Sequence, residues 1–261
     1  MNTPADKNST RRFSDRVENY IRWRPGYPDE LFRILAEDAG VTQPSTVADI
    51  GSGTGISAEL FLRRGHTVYA VEPNREMRQA AETLLAKYPQ FRSIDGTAEH
   101  STLPDASVDL IVAAQAFHWF DAEKTRAEFS RILRSGGWCA LMWNSRRIDS
   151  TPFLRAYEAL LNEYGTDYRE IQHTNIDRAK IAAFYAPETY KYRSLYNEQR
   201  FNWEGLRGRV LSSSYVPAEG QPQHAPLMQK LKEIFEANQS DGQVCFEYDT
   251  EIHLGQMPAV G

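Results

Sequence analysis

The 261-residue sequence predicts an α/β fold, a doubly wound, mostly parallel sheet of seven strands with helices on both faces. Three observations carry this expectation. Apolar runs of strand length alternate with helically spaced segments from residue 46 to residue 143. A glycine-rich turn joins the first apolar run to the first helical segment. Two strand-like runs return late, and such a pair after a parallel series reads as an antiparallel hairpin completing the sheet edge.

TVADIG at 46–51 is the first strand and ISAELFLRR at 56–64 the first helix of the series. TVYAVE at 67–72 and the helical spacing of 74–87 repeat the pair. A short strand FRSID at 91–95, a strand VDLIVAA at 108–114, a helix over 121–134 and a strand WCALMW at 138–143 complete it. Parallel neighbours need right-handed crossovers, so the helices fall on both faces. Past residue 145 the pattern loosens. It predicts a helix at 152–164, a polar stretch to about 178 and an apolar segment AKIAAFYA at 179–186. A strand at 188–196, a helix at 204–212, the turn-rich SSSYVPAEGQPQHAP, a helix at 226–238 and a strand at 243–254 follow. Ahead of the first strand, residues 13–39 hold two helical pieces separated by WRPGYP, whose prolines and glycine interrupt a helix. Residues 1–40 are therefore expected to form an N-terminal cover or lid. Residues 41–261 form the main domain, with 145–242 as its variable region.

The formal net charge of −5 and the scattered lysines and arginines give no nucleic-acid footprint. Cys139 and Cys245 stand alone, without the spacing of a metal site or a disulfide framework. The N-terminal stretch lacks the apolar core of a signal peptide, and no window approaches the roughly 18 apolar residues of a membrane span. These features predict a cytoplasmic protein, monomeric or homodimeric, whose partner is a small molecule.

Gly51-x-Gly53-x-Gly55 leaves the carboxyl end of the first strand, where open α/β sheets bind nucleotides. The dinucleotide fingerprint asks for its third glycine one place later. Glu72 ends the second strand about 20 residues on, where a carboxylate accepts hydrogen bonds from both hydroxyls of a ribose; a solvated strand-end charge is the plainer alternative. Asp49, inside the first strand, is an unexpected place for an acid unless it meets a donor at the mouth of the sheet. A nicotinamide cofactor gives Asp49 no task, whereas a ligand with ribose, adenine and an ammonium group suits both acids.

VADIGSGTG, then VYAVEP with Met77 beyond it, then DGTAEHSTLPDASVDLIVAAQAFHWFD, resemble successive motifs of the class I S-adenosylmethionine-dependent methyltransferases. AQAFHWFD, the upstream YIRWRPGYP and the downstream SSSYVP resemble the small-molecule branch that includes trans-aconitate methyltransferase-like proteins. The likeness is specific over 47–144 and thinner over 145–242. It implies a Rossmann-like methyltransferase fold with S-adenosylmethionine as cofactor and S-adenosylhomocysteine as product. It implies that Gly51, Gly53 and Gly55 hold the methionine end of the cofactor, with Asp49 near its amino group and Glu72 on the ribose. Pro73 and Asn74 would border the adenine. Where many relatives read Gly-Asp-Ala-Glu, this chain has Gly96-Thr97-Ala98-Glu99. Backbone contact at Ala98 survives the Thr97 departure, and Asp95 or Glu99 would replace the missing adenine contact. Gln115 would face the methionine part. The aromatics of YIRWRPGY either pack the N-terminal helix onto the sheet or close over the cofactor together with Tyr20 and Arg24, and closure is preferred because a sulfonium is attracted to aromatic faces and the reaction benefits from water exclusion.

Methyl transfer is an in-line displacement, so alignment and water exclusion matter most. His118, Asn144, Arg146, Arg147 and Tyr215 are expected around the transferred methyl, with Trp143 as an aromatic wall. His118 is a base if the acceptor is a phenol or an amine, or a hydrogen-bonded structural residue. Trp119 and Phe120 are core aromatics or neighbours of the sulfonium. Arg146 and Arg147 are solvated, or they orient a carboxylate acceptor. Asp121 and Asp149 read as helix caps. The expected function is O-methylation of a small molecule, a carboxylate by preference. A cofactor-binding protein without turnover and a nicotinamide-dependent oxidoreductase are the alternatives.

Overall fold

A computed structural model describes residues 23–42, 45–166, 168, 177–213 and 215–257. Tyr20 and the rest of the expected lid ahead of Trp23 lie outside them. Seven strands form one sheet: β1 Thr46–Ile50, β2 Thr67–Val71, β3 Phe91–Ile94, β4 Val108–Ala114, β5 Leu133–Arg146, β6 Tyr190–Phe201 and β7 Val244–Gln256. Their order across the sheet is β3-β2-β1-β4-β5-β7-β6. The first five run parallel, and β7 pairs antiparallel with both β5 and β6. The helices are α1 Leu31–Ala39, α2 Ile56–Leu62, α3 Arg75–Leu85, α4 Ala122–Ile132, α5 Pro152–Tyr164, α6 Arg178–Tyr185, α7 Trp203–Leu211 and α8 His224–Asn238. This is the predicted doubly wound fold with its late hairpin.

Alternation along the strands divides the core between the two faces. Val47, Leu110, Val112, Ala140 and Met142 point to one side and meet α1, α2 and α3 through Leu31, Leu35, Phe61 and Leu85. Ala48, Ile50, Ile111, Cys139 and Leu141 point to the other and meet α4 and α6 through Phe129, Ile132, Phe184 and Tyr185. The helices start where a short polar side chain satisfies a free backbone amide. Asn74, Thr151, Asp177 and Asn202 each accept such a bond at 2.9–3.1 Å, and Asp121 accepts one from Lys124 at 3.3 Å. Asp121 therefore caps a helix as expected. Asp149 does not, because Thr151 takes that place on α5.

Two departures shape the site. β5 begins five residues before the expected Trp138, because Leu133 pairs with Val108 and the chain then bulges through Ser135-Gly136-Gly137 before Trp138 meets Leu110. The β6–β7 ribbon also continues past the end of β5. The last β5 pair is Arg146 with Tyr248, whereas β6 stays paired to Phe201 opposite Val244. The extended ribbon supports a separate cluster in which Phe153, Leu154, Leu206, Val210, Leu231 and Phe246 join α5, α7 and α8. This cap stands over the carboxyl ends of the parallel strands.

The N-terminal segment is bound to that cap. Gly205 and Gly208 lie three residues apart on α7, and a Cβ on Gly208 would run into the Trp23 indole. Arg24 donates to the Ser212 carbonyl at 3.2 Å, and Asn144 and Asn197 donate to the Gly26 carbonyl at 3.0 and 2.9 Å. No helix among the described residues is long and apolar enough to cross a membrane.

Candidate functional site

A cavity of ≈ 390 Å³ opens between the strand ends, the cap and residues 24–27 of the N-terminal segment. Its floor is the turn after β1. Gly51 and Gly55 have φ of +70° and +88°, and a Cβ at either would press against Ala116 at 2.7 Å or Leu85 at 2.5 Å. These two positions accept only glycine without rearrangement, for backbone and packing reasons together. Gly53 lies between them on the cavity wall.

Glu72 is buried at the end of β2 and lines the cavity. Its Oε2 accepts from the Gly53 amide at 2.9 Å and its Oε1 from the Asn74 amide at 2.8 Å. Burial pushes its carboxyl above the usual range, while the Asn74 and Gly53 amides and the Arg78 charge pull the other way. A carboxylate has about four lone-pair sites, so each oxygen keeps one for a ligand hydroxyl.

Asp49 is 0 % exposed and does not reach the cavity surface, which corrects the expectation of direct access. It stands behind Ser57, whose hydroxyl lines the cavity and donates to Asp49 Oδ2 at 2.7 Å. Oδ1 has no hydrogen-bond partner. Burial raises the Asp49 carboxyl to about 7, against the Ser57 hydrogen bond, and the Glu72 charge raises it further. A buried carboxylate with an unused oxygen favours a cation nearby.

Pro73, Asn74, Thr97, Ala98 and Glu99 form one side of the cavity, as expected. Glu99 is partly committed, because its Oε1 accepts from the Asp121 amide at 2.9 Å. Asp95 is excluded from the lining and pairs with Arg78 at 2.9 Å. Gln115 lines the cavity at the end of β4 with φ +57° and donates to the Asn144 carbonyl at 3.3 Å. His118 and Trp119 also face it, from a 3₁₀ turn Phe117–Trp119, and Phe120 lies above the Gly51 turn.

The opposite end is cationic and aromatic. Arg24, Arg146, Tyr168, Arg209, Tyr215 and Tyr248 line it. Arg146 pairs with Glu158 at 2.5 Å and donates to the Tyr168 hydroxyl at 2.8 Å, while its Nη1 has no partner. Arg147, one residue on, points to the other face of the strand and pairs with Asp249 at 2.7 Å, outside the cavity. Strand alternation thus removes it from the expected set. Asn144 lines the cavity, and its amide also ties down the N-terminal segment at Gly26. Burial pushes the Tyr215 hydroxyl up, but the Arg209, Arg24 and Arg146 charges outweigh it and leave it below the usual tyrosine range. Arg209, Tyr168 and Tyr248 were not foreseen. The Gly205–Gly208 spacing marks the contact face of α7, and Arg209 flanks it, which is the sequence signal for its burial.

Residues 48–141 match the methyltransferase domain family. This segment contains the glycine turn, Glu72, the 97–99 wall and His118. An uncharacterized methyltransferase of Mycobacterium tuberculosis is 40% identical over 134 residues, 51% of this chain and 52% of the relative. The chain thus spans about half the length of the curated relatives it first matches. A protein of Anaeromyxobacter dehalogenans assigned as a type II methyltransferase has the same fold, with a TM-score of 0.68 at 23% identity over 91% of this chain and 100% of that one. Geranyl diphosphate C-methyltransferase of Streptomyces coelicolor, solved with S-adenosyl-L-homocysteine, aligns with a TM-score of 0.50 at 14% identity over 87% of this chain and 74% of that one. The fold is that of the Rossmann-like methyltransferase domain.

Proposed function

We propose that the protein is an S-adenosylmethionine-dependent methyltransferase acting on an oxygen of a small-molecule acceptor, with a carboxylate as the preferred nucleophile. The observation that carries the reading is Glu72, a buried carboxylate fixed by two backbone amides beside a turn that only glycines can make. Its free lone pairs suit the two vicinal hydroxyls of a ribose, and Asp49 with its unused oxygen suits a positive group above Ser57. The donors and acceptors present therefore fit this cofactor. The methyltransferase-domain match over residues 48–141 supports the same reading.

When bound, S-adenosylmethionine supplies a methyl group on positively charged sulfur. Glu72 accepts from the ribose, Gly51, Gly53, Gly55 and Gln115 border the methionine part, and Pro73, Asn74, Thr97, Ala98 and Glu99 border the adenine. Asp49 acts through Ser57 on the field at the amino group. Arg24 and Tyr27 cover the cavity from the N-terminal segment and exclude water. Arg146, which lines the cavity, orients the acceptor carboxylate. Tyr215 donates to the same group. A carboxylate is nucleophilic as it stands and gives up no proton on becoming an ester, so His118 serves as a hydrogen-bond donor and not as a base. This acceptor choice also fits the trans-aconitate methyltransferase-like resemblance of AQAFHWFD and SSSYVP.

The test is methyl transfer from S-adenosylmethionine to panels of organic acids, phenols and amines, repeated with Arg146→Ala and His118→Ala. Transfer to acids that fails in Arg146→Ala and persists in His118→Ala supports the reading. A dominant His118 effect on a phenol would point to general-base O-methylation, and strong transfer to an amine would end the oxygen-acceptor proposal.

A further inference from the structure

Arg209 is a buried guanidinium on the cavity wall. It is 5% exposed and lines the cavity from α7. Its Nη1 donates to the Ser213 hydroxyl at 3.2 Å, its guanidinium lies 5.8 Å from the centre of the Phe246 ring, and its Nε has no partner. Among the described residues no carboxylate forms an ion pair with it. Glu128 is buried with Arg131 and the partly buried Arg146 has Glu158, whereas Asp49 and Glu72, like Arg209, are buried with hydrogen bonds alone. Burial works against its charge, but the phenolic groups of Tyr248, Tyr215 and Tyr157, with a hydrogen bond to Tyr248, outweigh it and keep Arg209 protonated. Two further guanidiniums, Arg24 and Arg146, act on the same Tyr215, so three arginines share this chamber, of which Arg146 is paired with Glu158. A buried charge held without a counter-ion is strongly unfavourable unless something else supplies the opposite charge.

We propose that Arg209 is an acceptor-specificity residue whose counter-ion is an anionic group of the methyl acceptor, carboxylate in class. This rests on the reading of the cavity as a methyltransferase site. The acceptor is the source of the anion, and not the cofactor, because the neighbours of Arg209 all belong to the cap. Ser213, Tyr215, Tyr157, Tyr248 and Phe246 come from α5, β7 and the segment after α7, and none from the glycine turn or the end of β2. Arg209 lines the cavity, so its guanidinium charge is what the ligand meets, while its Nε is buried without a partner. Arg209 thus selects acceptors by charge from the cap side, while Arg146 approaches from the end of β5.

Thermal unfolding of the ligand-free protein tests this with acetate as the carboxylate probe, acetamide as its neutral control, and sodium chloride to match ionic strength. Arg209→Met should unfold at or above the wild-type temperature, since an apolar side chain of similar length removes an unpaired buried charge. Acetate at ten times its dissociation constant should raise the wild-type Tm by about 2–5 °C, and acetamide should not. That rise should vanish in Arg209→Met and survive in part in Arg209→Lys. Titration with S-adenosylhomocysteine should give the same affinity within about twofold for wild type and Arg209→Met. A lowered Tm in ligand-free Arg209→Met, restored by Arg209→Lys, would make Arg209 a structural residue. An equal acetate effect in both proteins, or none in wild type, would remove the anion subsite. A loss of S-adenosylhomocysteine affinity in Arg209→Met would assign the counter-ion to the cofactor. Failure of wild type to bind S-adenosylhomocysteine would instead sink the methyltransferase reading, while the acetate arm would still report on Arg209.

Discussion

Asp49→Asn should abolish a pH dependence of stability that the wild-type protein carries. The folded-state carboxyl is raised from 3.8 to about 7 by complete burial, with the Glu72 charge adding to it. Between those values the folded chain holds a proton on Asp49 that the unfolded chain has released, so stability falls as pH rises through the window. A gap of about 3 units at about 1.4 kcal/mol each makes the loss about 4 kcal/mol, complete just above pH 7. Burial of Glu72 acts in the same direction, and the lowered His66 acts in the opposite one, near and below pH 6.5. Both remain in the variant, so the difference between the two proteins isolates Asp49. Urea unfolding at pH 5 and pH 8 measures it. Only the part of the window above pH 5 is sampled, about 2 units, so the wild type should lose about 2.5 kcal/mol more than Asp49→Asn between these pH values. The Asn carboxamide keeps an acceptor for Ser57 but buries an amino group, so the absolute offset is not the signal. Two parallel curves would refute the reasoning. A ligand that brings an ammonium close to Asp49 should release a fraction of a proton at pH 7, measurable by calorimetry in buffers of different ionisation heat.

Arg146→Ala should lower stability by roughly 1–3 kcal/mol in urea unfolding, because it removes the charged pair while Glu158 keeps the Tyr168 hydroxyl. Arg147→Ala should cost at most about 1 kcal/mol, as its pair with Asp249 is half-exposed. Gly208→Ala should destabilise by about 1–3 kcal/mol through collision with Trp23, although alanine is the better helix former. Amide exchange at residues 24–28 should slow when S-adenosylhomocysteine is added, since Arg24, Pro25 and Tyr27 line the cavity; unchanged exchange would leave the segment as static packing.

The parallel half of the sheet was legible because β1, β2 and β4 are mostly buried and α3 and α4 carry a capping residue at their start. TVADI, TVYAV and VDLIVAA have no polar alternation to confuse with a solvated strand, and Asn74 and Asp121 fall where caps belong. The start of β5 was not legible, because Ser135-Gly136-Gly137 reads as a turn and only pairing with β4 makes it a bulge. Glu72 and the glycines could be placed on the cavity wall since their positions depend on local backbone geometry. Asp49 was identified but placed one layer too close, because burial behind Ser57 depends on how α2 packs. Arg209 and Arg207 are alike in residue type in WEGLRGRV, and only the spacing from Gly205, whose face Trp23 packs against, marks Arg209 as the inward one. Acceptor-side residues come from distant segments folded over the ribbon, so sequence spacing carries little of their arrangement.

The most direct measurement is calorimetric titration of S-adenosylhomocysteine into the wild type and into Glu72→Ala, with the fold of the variant checked by circular dichroism. The account predicts one site in the wild type and a loss of roughly 2–4 kcal/mol in the variant, or about 30- to 900-fold in affinity. Equal affinity in both proteins, or no binding by the wild type alongside binding of a nicotinamide dinucleotide, would contradict it.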